Sequence, residues 1–275
     1  MKFDMSAAWD EVVRLLSANR QVLLIVAGVF FFLPQVAFSL VFANQIAALE
    51  ASQADNPDAS AIGQAMAGFY GEIWWMILLM ALIQGVGMLG LLVLLSDRSR
   101  PTVGEALKTG LKLLLPYLGA QILFSCLMGL LILFPIAVGA SAGAGAGVLV
   151  GIVALVALVY VFTKFLLVSP VIAIERVTNP LAALGRSWRI TKGHTLRLFL
   201  FVFLLILALV VVGSVVSMVS GLVFALLGTE VAMVGQGIVS GILNAAFYVV
   251  FLAALAAAHR QIAGPSPDTV SETFS

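Results

Sequence analysis

From Leu113 to Thr163 the chain runs for 51 consecutive positions without an aspartate, glutamate, lysine or arginine. A helix crosses the hydrocarbon of a bilayer in ~20 apolar residues. The interval is therefore too long for one crossing and fits two. The break falls in the Gly/Ala/Ser run from Gly139 to Gly147, which gives spans near 113–138 and 148–168.

Four more intervals have the same character, at 21–43, 73–96, 198–227 and 237–258. The first does not read as a cleaved leader. The apolar part of a signal peptide is about 7–15 residues, and no small-residue cleavage site follows here. Pro34, inside span one, predicts a kink. Span five exceeds a crossing and so tilts or protrudes. Only 10% of the 275 residues are charged and 62% are hydrophobic, against about 25% charged in a soluble domain. The expected fold class is all-α and integral to a membrane, with six transmembrane helices as three hairpins. Residues 1–263 form one six-span domain, and 264–275 a disordered cytoplasmic tail. Cys126 is the only cysteine, so no intramolecular disulfide forms.

Each hairpin is preceded by a short amphipathic segment. Residues 2–20 place Trp9, Val12, Val13, Leu15 and Leu16 at helical spacing against Asp10, Glu11 and Arg14, which suits a helix lying in the headgroup layer. Thr102 with Glu105 three residues on predicts a capped surface helix over 102–112. Asn179 and Pro180 suit the start of a third, and Gly193 its left-handed close. The three copies, from Ser6, Thr102 and Asn179, suggest a loose threefold repeat. The connection 44–71, with Glu50, Asp55 and Asp58, reads as a polar loop. Trp74 and Trp75 suit an interfacial belt at the entry to span two.

Six spans put both termini on one side. That side holds Lys2, Arg14, Arg20, Arg98, Arg100, Lys108, Lys112, Arg176, Arg186, Arg189, Lys192, Arg197 and Arg260, thirteen of the fourteen basic residues. The other side holds Glu50, Asp55, Asp58, Glu72 and Glu230 and no basic residue. The positive-inside rule then places both termini in the cytoplasm.

Span four runs through a proline and a glutamate into a basic helix. The residues are Lys164, Pro170 and Glu175, then Leu181, Leu184, Arg186, Ser187, Trp188, Thr191, Lys192 and Gly193. This stretch resembles the glycerophosphoryl diester phosphodiesterase membrane-domain family and the small YciC-like six-span bacterial inner-membrane proteins. The likeness is strongest over 160–200, and Pro101, Thr102, Gly104, Glu105, Ala106 and Leu107 also fit it. It implies a six-helix bundle in a bacterial inner membrane and little about activity. The catalytic barrel of the fused family members has no counterpart here. Lys164 stands where the resemblance leads one to expect arginine, and a lysine lacks the guanidinium fork.

Candidate chemistry is sparse. His194 and His259 lie at span ends, where solvation is expected. No paired cysteine, HExxH or carboxylate cluster suggests a metal, and no cofactor is expected. Gly143, Gly145 and Gly147 follow a span rather than a strand, so they do not read as a nucleotide loop. Ser187 has no base nearby in sequence and reads as a surface-helix residue. Lys164 is the one basic residue inside a span, which makes it a functional hypothesis. The alternative is a stem that reaches the headgroups, or a structural pair. Glu175 is a candidate partner for a neighbouring arginine. Gln84, Gln121 and Asn244 suit interhelical hydrogen bonds worth about 1 kcal/mol each, or the lining of a pathway. Gly143, Gly147 and Gly151, then Gly213, Ser217 and Gly221, then Gly237, Gly241 and Ala245, form small faces. These are expected to join spans four, five and six, or to drive self-association.

The basic surface of Arg98, Arg100, Lys108, Lys112, Arg186, Arg189, Lys192 and Arg197 suits anionic headgroups at about 1 kcal/mol per charge. Contact with lipid or substrate is thus expected at Lys164, Glu175, Arg186, Arg189, Lys192, Gln84 and Asn244. Membrane lipids, a second copy or a membrane-protein partner are the expected partners. Nucleic acid is not, since no soluble basic domain is present. A non-catalytic protein supporting envelope or membrane-complex integrity fits these features best. The alternative is a transporter or exporter of a small amphiphile. A lipid-modifying enzyme would need an acid–base or metal cluster that cannot be assembled.

Overall fold

A computed structural model of the protein describes residues 3–55, 59–96 and 101–263. The protein is 91% helical, with no strand among the described residues. Six helical stretches are long and apolar enough to cross a membrane: Arg20–Val41, Ser60–Leu95, Val103–Ala142, Ala144–Ile174, Thr195–Ala225 and Val231–Ala263. The fold is an all-α membrane protein, and each expected span lies within or close to one of these stretches. Arg98, Arg100, Lys2, Asp58 and the tail 264–275 lie outside the described residues.

The first helix, α1 (Met5–Ala18), starts at Asp4, whose carboxylate accepts from the Ser6 and Ala7 amides. It buries Ala8, Val12 and Leu15 and leaves Trp9 and Val13 exposed. Helix α2 (Arg20–Ala27) passes into a π-helical segment, Gly28–Phe32, and then into α3 (Leu33–Val41). Proline lacks an N–H and its ring crowds the carbonyl four residues back. The chain meets Pro34 by widening the turn before it, so that the Leu33 amide donates to the Gly28 carbonyl. Where the sequence predicts a kink, the chain forms a π-helical turn.

Among its described residues, 44–55 and 59–71, the polar connection 44–71 is helical and not a loop. Helix α4 covers Ala43–Asp55, and α5 covers Ala59–Ser96. Eight of the connection's 28 residues are alanine and three are glutamine, both good helix formers, so polarity here does not mean irregularity. Nor is 102–112 a separate surface helix. It is the start of α6 (Val103–Ala142), which runs 40 residues through Pro116 and Pro135. Its capping box is as expected: Thr102 Oγ1 accepts from the Glu105 amide at 3.3 Å, and the Glu105 carboxylate accepts from the Thr102 amide at 2.9 Å. The loose threefold repeat therefore has a free amphipathic helix in its first and third copies only.

The turn after α6 is a single residue. Gly143 sits at φ +92°, and α7 (Ala144–Phe165) begins at once. Two residues separate α7 from α8 (Val168–Ile174), where Pro170 again removes a donor. Asn179 caps α9 (Pro180–Ile190) by accepting from the Leu181 and Ala182 amides. Gly193, at φ +88°, lies in the turn leading to α10 (Thr195–Ala225), and α11 covers Thr229–Ala263.

The chain divides into two compact units. The first comprises Met1–Asn19, Leu89–Leu205 and Phe251–Ser275, and the second Arg20–Met88 and Ile206–Val250. In the first, the α6–α7 hairpin closes on glycine. A Cβ on Gly147 would lie 2.6 Å from the Gly139 Cα. Gly90 meets Leu107 in the same way, and Gly119 meets Pro180. In the second, Gly237 faces Ser39 and Leu40, and Gly241 faces Phe32 and Val36. Phe31 stacks on Tyr248 with ring centroids 4.6 Å apart. The small faces thus join partners other than those expected. Span four packs its glycines on span three, and span six packs Gly237 and Gly241 on span one. Spans five and six do meet, where Gly221 lies against Gln236 and Gly235 against Phe224. Gly213 has no neighbour within reach of a Cβ.

Candidate functional site

All the described basic residues except Arg20 belong to the first unit. Its most unusual member is Lys164, in the last turn of α7, whose residue surface is only 2% exposed. Tyr160 is one turn earlier on the same helix face. The Lys164 ammonium sits 5.4 Å from the Tyr160 ring centre and 5.5 Å from that of Trp188 on α9. Ser187 Oγ donates to the Lys164 carbonyl at 2.7 Å and fixes α9 against the end of α7. Phe165 packs on Trp188, and Phe124 packs on Phe165. No carboxylate pairs with Lys164 among the described residues. Burying an ion costs several kcal/mol even after relaxation. Cation–π contacts return about 2 kcal/mol when desolvated, so the two rings alone do not balance the burial.

The structural pair that the sequence suggests for Lys164 is made with aromatic rings. The lysine's charge is not paired with a carboxylate among the described residues and lies between two aromatic rings instead. Tyr160 was open to discovery from the sequence, four residues before the lysine. Trp188 and Ser187 were not, because their contact with α7 is tertiary. Ser187 is fully buried, a correction to its reading as a surface residue: its hydroxyl satisfies a carbonyl near the end of α7. Thr191 is equally buried and donates to the Ser187 carbonyl at 2.9 Å.

A second cluster centres on Glu175, the residue closing α8. One carboxylate oxygen accepts from Arg186 Nε at 2.8 Å, and the other lies 3.0 Å from His259 Nε2 of α11. Burial pushes Glu175 up, but hydrogen bonds from His259 and Arg186, together with their charges, outweigh it and lower it to about 2. Glu175 thus pairs with an arginine as expected. His259 corrects the expectation of a solvated histidine: it is 4% exposed and ties span six to this cluster.

The N-terminal segment is clasped in the same unit. The Phe3 amide donates to His194 Nδ1 at 3.3 Å, and the Phe3 carbonyl accepts from Arg197 at 3.3 Å. Asp4 and Gln261 exchange two hydrogen bonds of 3.1 Å. Glu11 pairs with Arg14 and Arg260, and Arg260 also donates to the Leu95 carbonyl. His194 is therefore half-buried and engaged rather than solvated.

Lys108, Lys112, Arg189 and Lys192 are exposed and form no ion pair among the described residues. Of the remaining candidates, Asn244 and Gln84 belong to the second unit. Asn244 Nδ2 donates to the Phe31 carbonyl at 3.1 Å, inside the π-helical segment where the regular ladder is disturbed. Gln84 is half-buried, and Gln121, in the first unit, is exposed. A groove of about 560 Å³ lies along Phe224, Val231, Val234, Gly235, Ile238 and Val239. Its lining offers no polar side chain to a substrate. Compared with protein-family models, with curated proteins and with solved structures, the chain matches none.

Proposed function

We propose that this chain is a non-catalytic, multi-pass protein of a bacterial inner membrane with both termini in the cytoplasm. It supports envelope or membrane-complex integrity by seating a basic surface on anionic headgroups. The observation that carries this reading is the set of exposed, unpaired cations Lys108, Lys112, Arg189 and Lys192. The carboxylates of the same unit that form ion pairs, Glu11 and Glu175, are already engaged. Each cation gains about 1 kcal/mol against an anionic leaflet. The resemblance over 160–200 supports the inner-membrane setting.

The test is accessibility labelling in a Cys126→Ser background. A thiol at Arg189→Cys should react with an impermeant maleimide only after the inner membrane is opened. One at Gly63→Cys should react in cells whose inner membrane is intact. Equal reactivity from one side would end the reading.

A further inference from the structure

We propose that Lys164, Tyr160, Trp188 and Lys192 bind the phosphate group of one anionic phospholipid. The proposal rests on the reading of this surface as lying among headgroups, and it adds a discrete site to a diffuse contact.

The Lys164 ammonium has no carboxylate partner and no hydrogen-bond acceptor among the described residues. Among those residues, no side-chain nitrogen or oxygen sealed from solvent lacks a partner. The ammonium must therefore reach the surface through the 2% of Lys164 that stays exposed. The Glu175 carboxylate is engaged by Arg186 and His259. A second cation, Lys192, follows Trp188 by four positions, just past the end of α9, and is exposed with no ion pair among the described residues. Neither cation has an ion-pair partner among the described residues, which leaves both for an anion from outside.

The rings define what kind. Tyr160 is 47% exposed and Trp188 37% exposed, so the outer parts of both rings remain free for the glycerol and upper acyl chain of a lipid. Their faces toward Lys164 are already taken by its ammonium, which leaves no aromatic cage for a choline. A zwitterionic headgroup would bring its own cation toward Lys164 and Lys192. A phosphodiester with a net negative headgroup brings none, and its oxygens make short, charge-assisted bonds to ammonium groups.

The full chain, stripped of lipid in detergent, would be titrated with phosphatidylglycerol, phosphatidylcholine or sodium phosphate, with bound lipid counted by native mass spectrometry. One phosphatidylglycerol should bind saturably, ahead of any phosphatidylcholine. Lys164→Met and Lys192→Gln should each weaken it at least about tenfold, the scale of one lost charge-assisted contact. Lys164→Arg should stay within about threefold, since the charge is kept. Lys108→Gln with Lys112→Gln should reduce only weaker, additional lipids. Unchanged tight binding in Lys164→Met overturns the proposal. If that variant does not fold, unchanged binding in Lys192→Gln does so instead. Displacement by sodium phosphate at equal concentration would mean that the ligand is free phosphate and not lipid. Phosphatidylglycerol preference that depends on Lys108 and Lys112 alone would refute this site and leave the broader reading intact. No preference at all would remove both.

Discussion

Glu175 shows how one side chain can hold three helices. It closes α8 and receives Arg186 from α9 and His259 from α11. Its folded value of about 2 lies below the ordinary 4.5 of a free glutamate, so the ionised form favours the folded state. That contribution is fully present above about pH 4.5 and is lost as pH falls toward 2. Thermal unfolding in detergent should show a midpoint that declines across this window. Glu175→Gln should lower stability at neutral pH by about 2 kcal/mol, the scale of a charged hydrogen bond, and should flatten the decline. A wild-type midpoint independent of pH there would contradict the pairing. Ser187→Ala removes the donor to the Lys164 carbonyl and should cost about 1 kcal/mol. It should also change the fluorescence of the neighbouring Trp188. The sequence announced Lys164 and Glu175, because ionisable residues stand out in or beside an apolar run. It hid Ser187, Trp188 and His259, whose roles depend on which helix lies across from them.

At the level of elements, local chemistry was read correctly wherever it is local. The Thr102–Glu105 box and the Asn179 cap are both formed. Thr102→Ala should cost about 1 kcal/mol and raise hydrogen exchange in the first turn of α6, leaving the rest of that helix protected. What could not be read is where a helix stops. Propensity continues through 44–55, and Gly104 and Gly110 weaken 102–112 without ending α6. Nor did small-residue spacing name its partner: Gly147 faces Gly139, and Gly241 faces Phe32. Both contacts depend on long-range register. Gly147→Val should therefore separate the α6–α7 hairpin, since its Cβ would stand 2.6 Å from the Gly139 Cα. A loss of at least about 2 kcal/mol is expected, in line with overpacking elsewhere. Gly185→Val, in open space, should cost far less. Comparing the two by thermal unfolding checks the claim.

Across the whole molecule, charge is sorted by unit. The second unit contains Arg20 and no other basic residue, and its acidic side chains include Glu72. The span count was legible because uncharged runs are a one-dimensional signal that tertiary packing does not disturb. The grouping of helix segments into two units was not, because it depends on contacts distant in sequence. Placing arginines at Gly63 and Gly68, where a new side chain meets nothing within 4 Å, should leave packing untouched and disturb orientation alone. The expected readout is a fraction of Arg189→Cys molecules that become labelled in intact cells. No change in labelling would show that orientation does not depend on this asymmetry.

The one-residue reversal at Gly143 bears on biogenesis. Between Leu113 and Thr163 nothing charged stands at the tip or along either arm. The pair can partition into lipid from its ribosomal side without hauling a hydrophilic segment through the oily interior, so that its insertion makes no demand on a translocation motor.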